Sequence, residues 1–336
     1  MEATQSAAIL PATEKTGTVS YLSHLPVSLF GSVMGLTGLS LAWRHAHADF
    51  NVPEEVSTVI GVIAMTVFVA LVIAYGIKMA TSFEVVRNEF NHPIAGNFFG
   101  TFFISLLLLP LIVVNYNAVL ATGMWYVGMV AMIGLAWLIL NRWMTHKQQL
   151  EHASPAWMIP VVGLLDVPIA QSALGLDMLH GLMLFAFSVG IFFAIPLFTL
   201  VFSRLVFAEP LPDAMKPSLL ILVAPFSVGF LAYVETMGQV DALAEVLYSL
   251  TLFMLAVLFT QLRNINSACP FKLSWWAVGF PLTASANAAF KYAEYAQNDI
   301  ADGIAIVLLA VASIAILDLL IRTVSGLLRG ELLKLV

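Results

Sequence analysis

Val56-Ser57-Thr58-Val59-Ile60-Gly61-Val62-Ile63-Ala64-Met65-Thr66-Val67-Phe68-Val69-Ala70-Leu71-Val72-Ile73-Ala74-Tyr75-Gly76-Ile77 is an uncharged run, bounded by Glu54 and Glu55 at one end and Lys78 at the other. At about 1.5 Å per residue, roughly 20 helical residues cross a ~30 Å hydrocarbon layer, so the stretch reads as one membrane crossing. Residues 98–114 and 304–315 are likewise free of charge. Of 336 residues, 60% are apolar and only 10% charged, and the mean hydropathy is +0.94. A soluble domain carries about 25% charged residues, so a water-exposed fold cannot hide this much apolar surface and lipid is the expected solvent.

Working outward by apolar windows and interrupting charges, spans fall near 25–43, 56–79, 97–115, 119–143, 156–175, 179–206, 217–235, 243–262, 273–293 and 303–325. The expected fold class is an all-α membrane protein with ten transmembrane helices, which puts both termini on one side. With the N-terminus inside, the cytoplasmic segments hold Lys15, Lys78, Arg87, Arg142, Lys147, Arg204, Lys216, Arg263, Lys272, Arg322, Arg329 and Lys334, and the outside only Arg44 and Lys291. Cytoplasmic loops collect Lys and Arg, so both termini are expected in the cytoplasm. The outer loops carry Asp49, Glu54, Glu55, Asp177, Asp241, Asp299 and Asp302 instead. Residues 1–23 have no apolar core of a signal peptide and read as a disordered cytoplasmic tail. The transmembrane domain is expected over 24–330.

The composition also excludes chemistry. Cys269 is the single cysteine, which leaves no intrachain disulfide and no cysteine-based metal cluster. The net charge of −6 is spread along the chain and suggests no nucleic-acid partner. His45 and His47 are two apart without a third ligand, so no metal is expected. No Walker A, dinucleotide fingerprint, nucleophile elbow or HExxH is present, so neither enzyme nor cofactor is expected.

The spans pair into five consecutive hairpins whose odd members carry the breakers: Gly31, Gly35 and Gly38; Pro110; Pro160, Gly163 and Pro168; Pro225; Gly279 and Pro281. Proline removes a helical hydrogen bond and clashes with the carbonyl four residues back, so bends are expected to free the carbonyls of Leu106, Leu164, Ile221 and Ala277. In hydrocarbon such groups need protein or water around them. An inner ring of kinked odd helices around a pore satisfies this, and so does close helix packing by small residues. Among ionisable groups, Asp166 in the fifth span is a candidate protonatable site or an interhelical hydrogen-bonding group. Asp318 and Arg322 read as an i,i+4 pair. Glu235, Glu245, Lys291 and Glu294 read as solvated span ends beside an outer vestibule.

Pro26-Val27-Ser28-Leu29-Phe30-Gly31 through Trp43 resembles the first helix of the tellurite-resistance and dicarboxylate transporter family, which includes the plant slow-type anion channels. Phe83-Glu84-Val85-Val86-Arg87-Asn88-Glu89-Phe90 through His92-Pro93, Ser154-Pro155 through Pro160, Ala224-Pro225, and Trp276-Ala277-Val278-Gly279-Phe280 through Ala288 extend the resemblance in order. It implies odd helices lining a central pore, a homotrimer with one pore per subunit, and a bacterial inner (plasma) membrane location. It also implies that Phe280 occludes the conduit. Pro281, beside that ring, departs from the small residue found there in bacterial relatives. The function it implies is an anion channel passing small monovalent anions such as chloride or nitrate. The alternative is a proton-coupled or exchange carrier for oxyanions such as tellurite or sulfite, or for C4-dicarboxylates, with Asp166 as the coupling group. A non-conducting sensor is a third class.

Overall fold

The computed structural model describes residues 22–262, 271–331 and 335. Most of the expected tail, together with Lys15, Arg263, Cys269 and Lys334, lies outside the described residues. The chain forms α1 (Gly31–Phe50), α2 (Glu54–Thr81), the short α3 (Phe83–Asn91), α4 (Ala95–Val113), α5 (Ala118–Thr145), α6 (Pro155–Leu174), α7 (Asp177–Phe207), α8 (Asp213–Met237), α9 (Ala242–Leu262), α10 (Gly279–Ala296) and α11 (Asp299–Leu328). Among the described residues there is no strand.

Eight of these helices are long and apolar enough to cross a membrane: α2, α4, α5, α6, α7, α8, α9 and α11. The other two expected crossings coincide with α1 and α10, which are helical but less apolar. The reason is what they face. Residues 31–40 and 283–290 are buried without interruption, and they are rich in Gly, Ser, Thr and Ala. Helices surrounded by protein have no need of a lipid-soluble surface, and small side chains let backbones approach.

Burial separates the helices into two sets. In the most apolar window of α4, α6 and α8, 78% of residues are buried, against 22–39% in α2, α5, α7, α9 and α11. The second set turns large apolar side chains outward, among them Val69 and Ile73, Val130 and Trp137, Phe192 and Ile195, Phe253 and Phe259, and Ile314 and Leu317. Such a surface is tolerable only against lipid. The molecule is therefore an inner group (α1, α4, α6, α8, α10) wrapped by an outer group. At one end, side chains cap the outer helices: Asn117 Oδ1 accepts from Leu120 N–H, Asn298 Oδ1 from Ala301 N–H, and Asp241 Oδ1 from Leu243 and Ala244 N–H.

The inner helices share a local form. Each opens with a 3₁₀ segment, Val27–Phe30, Ala95–Phe98, Pro155–Met158, Asp213–Val223 or Leu273–Val278, and then turns α-helical at Gly31, Phe99, Ile159, Ala224 or Gly279. Pro160, Pro225 and Pro281 sit in the first turn of the α segment, where a missing N–H costs least. Pro110 and Pro168 begin short segments after breaks in α4 and α6. At Pro160, Pro225 and Pro281 the chain thus changes helix type rather than bending an α-helix, and the expected freeing of carbonyls is not seen at Leu164 and Ile221, which accept from the N–H groups of Val167 and Ala224.

α1 continues to Phe50, beyond the expected boundary at residue 43. Arg44, read as a loop charge, donates from Nη1 to the Leu111 carbonyl at 2.9 Å, and His45 stacks on Phe290. α1 and α10 pack through glycine. A Cβ on Gly35 would lie 3.3 Å from Gly279 Cα, and one on Gly38 would lie 2.9 Å from Thr283 Cβ. Asn287 Nδ2 crosses the same contact to the Gly38 carbonyl at 2.8 Å.

Candidate functional site

The five inner helices enclose a small cavity of about 60 Å³. Every one of them contributes to its wall: Gly31 and Met34 in α1, Thr101 and Ile104 in α4, Val162, Gly163 and Asp166 in α6, Ala224 and Val228 in α8, and Ala277 just before α10 with Phe280 and Pro281 in its first turn. The lining is overwhelmingly apolar. Asp166 is its one ionisable side chain, 1% exposed, and its Oδ1 has no hydrogen-bond partner.

A second cavity of about 250 Å³ adjoins the first, sharing Ser28, Phe98 and Ser274 with it. Its wall carries serines from the opening turns of four inner helices, Ser28, Ser154, Ser218 and Ser274. Ser218 and Ser274 donate to the carbonyls of Met215 and Ala214, while Ser154 Oγ is buried without a partner. Each hydroxyl has one proton, so as they stand Ser218 and Ser274 would have to release these carbonyls to donate to an anion. Among the described residues, no Lys or Arg lines either cavity.

Glu89 of α3 also reaches this second cavity, and its charge is tied down. Oε1 accepts from Val27 N–H at 2.7 Å, and Oε2 from Lys78 Nζ at 2.6 Å and the Tyr75 hydroxyl at 3.0 Å. Lys78 Nζ, 2% exposed, also donates to the Leu25 carbonyl at 2.7 Å. This clamp fixes the opening turn of the first inner helix against α2 and α3. Sequence reasoning treated Lys78 only as a cytoplasmic charge. The signal available was Glu89 inside the motif after the second span.

Of the singled-out residues, Gly31, Gly163, Asp166, Phe280 and Pro281 stand on the central cavity wall. Ile221 and Ala277, whose carbonyls precede prolines by four residues, stand there too. Gly35, Gly38 and Gly279 stand in the α1–α10 contact, and Pro110, Pro160, Pro168 and Pro225 lie off the wall. The Phe280 ring is buried, with Gly38 behind it: a Cβ there would lie 3.9 Å from Cδ2. Asp318 and Arg322 pair at 2.9 Å as read, and Lys291 pairs with Glu294 at 2.9 Å. Glu235 accepts from the Ser172 hydroxyl at 2.6 Å, tying α8 to α6. His47 Nδ1 bonds the Val52 carbonyl, apart from the stacked His45. Among the described residues, no group of three His, Cys, Asp or Glu is disposed to hold a metal.

The fold and the cavity define the class: an all-helical membrane protein whose inner helices meet around an apolar, nearly uncharged cavity. The sequence agrees: a profile of the voltage-dependent anion channel family (SLAC1) matches residues 24–324, and the chain belongs to that family. It is 30% identical to the S-type anion channel SLAH3 of Arabidopsis thaliana, over 90% of this chain and 48% of that protein. It is 26% identical to the tellurite resistance protein TehA homolog of Haemophilus influenzae, over 91% and 92%. An uncharacterized transporter of Methanocaldococcus jannaschii, MJ0762, is 25% identical over 94% and 98%. The chain spans about half the length of the plant channel SLAH3.

Proposed function

We propose that this protein is a channel for small monovalent anions, with Phe280 as the occluding gate. The carrying observation is that Phe280 stands on the wall of a cavity to which all five inner helices contribute. A ring held across so narrow an apolar passage forces an ion to shed water with nothing to replace it, which closes the path by dewetting. The serine-lined cavity serves as one mouth. In this reading residues 24–330 form the membrane domain, α1 and α10 complete ten crossings in five hairpins, both termini face the cytoplasm of a bacterial inner membrane, and three copies assemble with one pore each.

The test is anion current through purified protein in planar bilayers, native against Phe280→Ala, in chloride and in nitrate. A barrier lowered by about 1.4 kcal/mol is a tenfold change in rate, so truncation of the ring should raise current about tenfold or more. No change in current would sink the gate.

One observation favours a second reading. Asp166 lines the cavity and one of its carboxyl oxygens is buried without a hydrogen-bond partner, which suits a proton-coupled carrier of oxyanions such as tellurite or sulfite, or of small dicarboxylates. Such a carrier shows saturable, pH-driven uptake, and Asp166→Asn abolishes it. Ungated current through Phe280→Ala is foreign to it.

A further inference from the structure

A third cavity, of about 450 Å³, lies apart from the central pair, where the last turns of α1, the start of α2 and the residues that follow α4 come together. Its base holds the buried Ser57 and Ile112, and its walls hold Arg44, Glu54, Thr58 and Tyr116. The central cavities are apolar; here Ile112 is the one aliphatic side chain on the wall, and a charge of each sign faces the space.

Arg44 is half-buried, and the Leu111 carbonyl takes a proton of its Nη1 at 2.9 Å. That bond holds the guanidinium against α4. An arginine has five N–H donors, and among the described residues the others make no hydrogen bond or ion pair, which leaves them to the cavity. Glu54 stands near enough to act on Arg44 electrostatically, yet among the described residues the two form no ion pair. A simple anion held at Arg44 would be repelled by Glu54, and a simple cation at Glu54 would be repelled by Arg44. A ligand that carries both charges a few bonds apart satisfies both residues.

We propose that this cavity binds the headgroup of a phosphatidylethanolamine lipid, its phosphate on the free edge of Arg44 and its primary ammonium on Glu54. A guanidinium presents paired N–H groups that match two phosphate oxygens, and the exposed Thr58 hydroxyl stands beside it as a further donor. A primary ammonium brings three donors to the carboxylate, which the quaternary nitrogen of a choline headgroup lacks. The position supports a lipid over a free zwitterion. The cavity lies at helix ends, where headgroups lie, and just beyond it Val59 and Val62 of α2 and Val119 of α5 turn outward as exposed apolar side chains that suit acyl chains.

The test is native mass spectrometry of the full chain in detergent, titrated with phosphatidylethanolamine, phosphatidylcholine or phosphatidylglycerol of the same acyl chains. Phosphatidylethanolamine should be retained most strongly. Glu54→Ala, at an exposed position, should weaken its retention about threefold and level it with phosphatidylcholine. Glu55→Ala removes the same charge one residue away, off the cavity wall, and should change nothing. Arg44→Gln should weaken retention of phosphatidylethanolamine about tenfold, as loss of a charge-assisted phosphate contact does. Equal retention of phosphatidylethanolamine and phosphatidylcholine by the native protein would overturn the proposal, as would an undiminished preference in Glu54→Ala or an equal loss in Glu55→Ala. Displacement of the lipid by equimolar free phosphoethanolamine would make this a site for a soluble zwitterion and also overturn it.

Discussion

Asp241 shows how a single side chain can hold one end of the bundle. The Tyr233 hydroxyl donates to Oδ2 at 2.6 Å, and the N–H groups of Ala244 and Leu243 point at Oδ1; together they hold the carboxyl below its ordinary 3.8. A carboxyl with a depressed folded pKa adds stability that is complete above the unfolded value and fades as pH falls through the folded one. Asp241→Ala should therefore lower the melting temperature in detergent at neutral pH. The gap from the native protein should close once the pH is well below 3.8. An equal gap at all pH values would mean that the side chain acts only as an uncharged cap. Asp166 carries a sharper functional question, because it is the one ionisable group on the central wall. If the protein is a channel, Asp166→Asn keeps anion current within about threefold, a change of well under 1.4 kcal/mol. Abolition of current by this near-isosteric change would favour the carrier.

At the level of elements, the contacts that matter most join one helix to another. Lys78 and Glu89 are buried to 2% and 13% exposure and sit beside the serine-lined mouth. Removing one partner of a buried pair costs about 3–5 kcal/mol, so Lys78→Met should lower the melting temperature. It should also leave an uncompensated carboxylate at the mouth and depress anion current. The double variant Lys78→Met, Glu89→Gln should recover much of that current, and a double variant as impaired as the single would argue against repulsion at the mouth. Gly38→Ala tests the α1–α10 seam, since the new methyl meets Thr283 Cβ at 2.9 Å. Overpacking of this kind costs about 1–3 kcal/mol and reads out as a lowered melting temperature. These features were only partly legible. The glycines marked α1 and α10 as special because small residues in membrane helices always invite close packing, but packing and pore lining leave the same trace in sequence. The Lys78–Glu89 clamp was hidden because α3 folds back beneath α2, and no periodicity records a reversal of the chain.

At the scale of the whole molecule, the division into inner and outer helices was legible because it is written in composition. The outer set must dissolve in lipid and is uniformly apolar, whereas α1 and α10 are sheltered and carry Ser, Thr, Gly and Asn at positions buried by protein. That same shelter is why these two fall short of the apolarity that marks the other eight. The ion path was not legible, since a wall is shared among five helices and each supplies only a few unremarkable residues. What the assembled path lacks decides its selectivity. Among the described residues neither cavity is lined by Lys or Arg, so none of them offsets the loss of hydration by a direct positive charge. The serine hydroxyls at the mouth replace only part of the lost water. Passage should therefore rank anions by how readily they shed water, with iodide and nitrate ahead of chloride and fluoride last. Reversal potentials of Phe280→Ala in planar bilayers under ion replacement would give this order directly. A series led by fluoride would require a strong positive site in the path, and among the described residues no Lys or Arg stands on the walls of these two cavities.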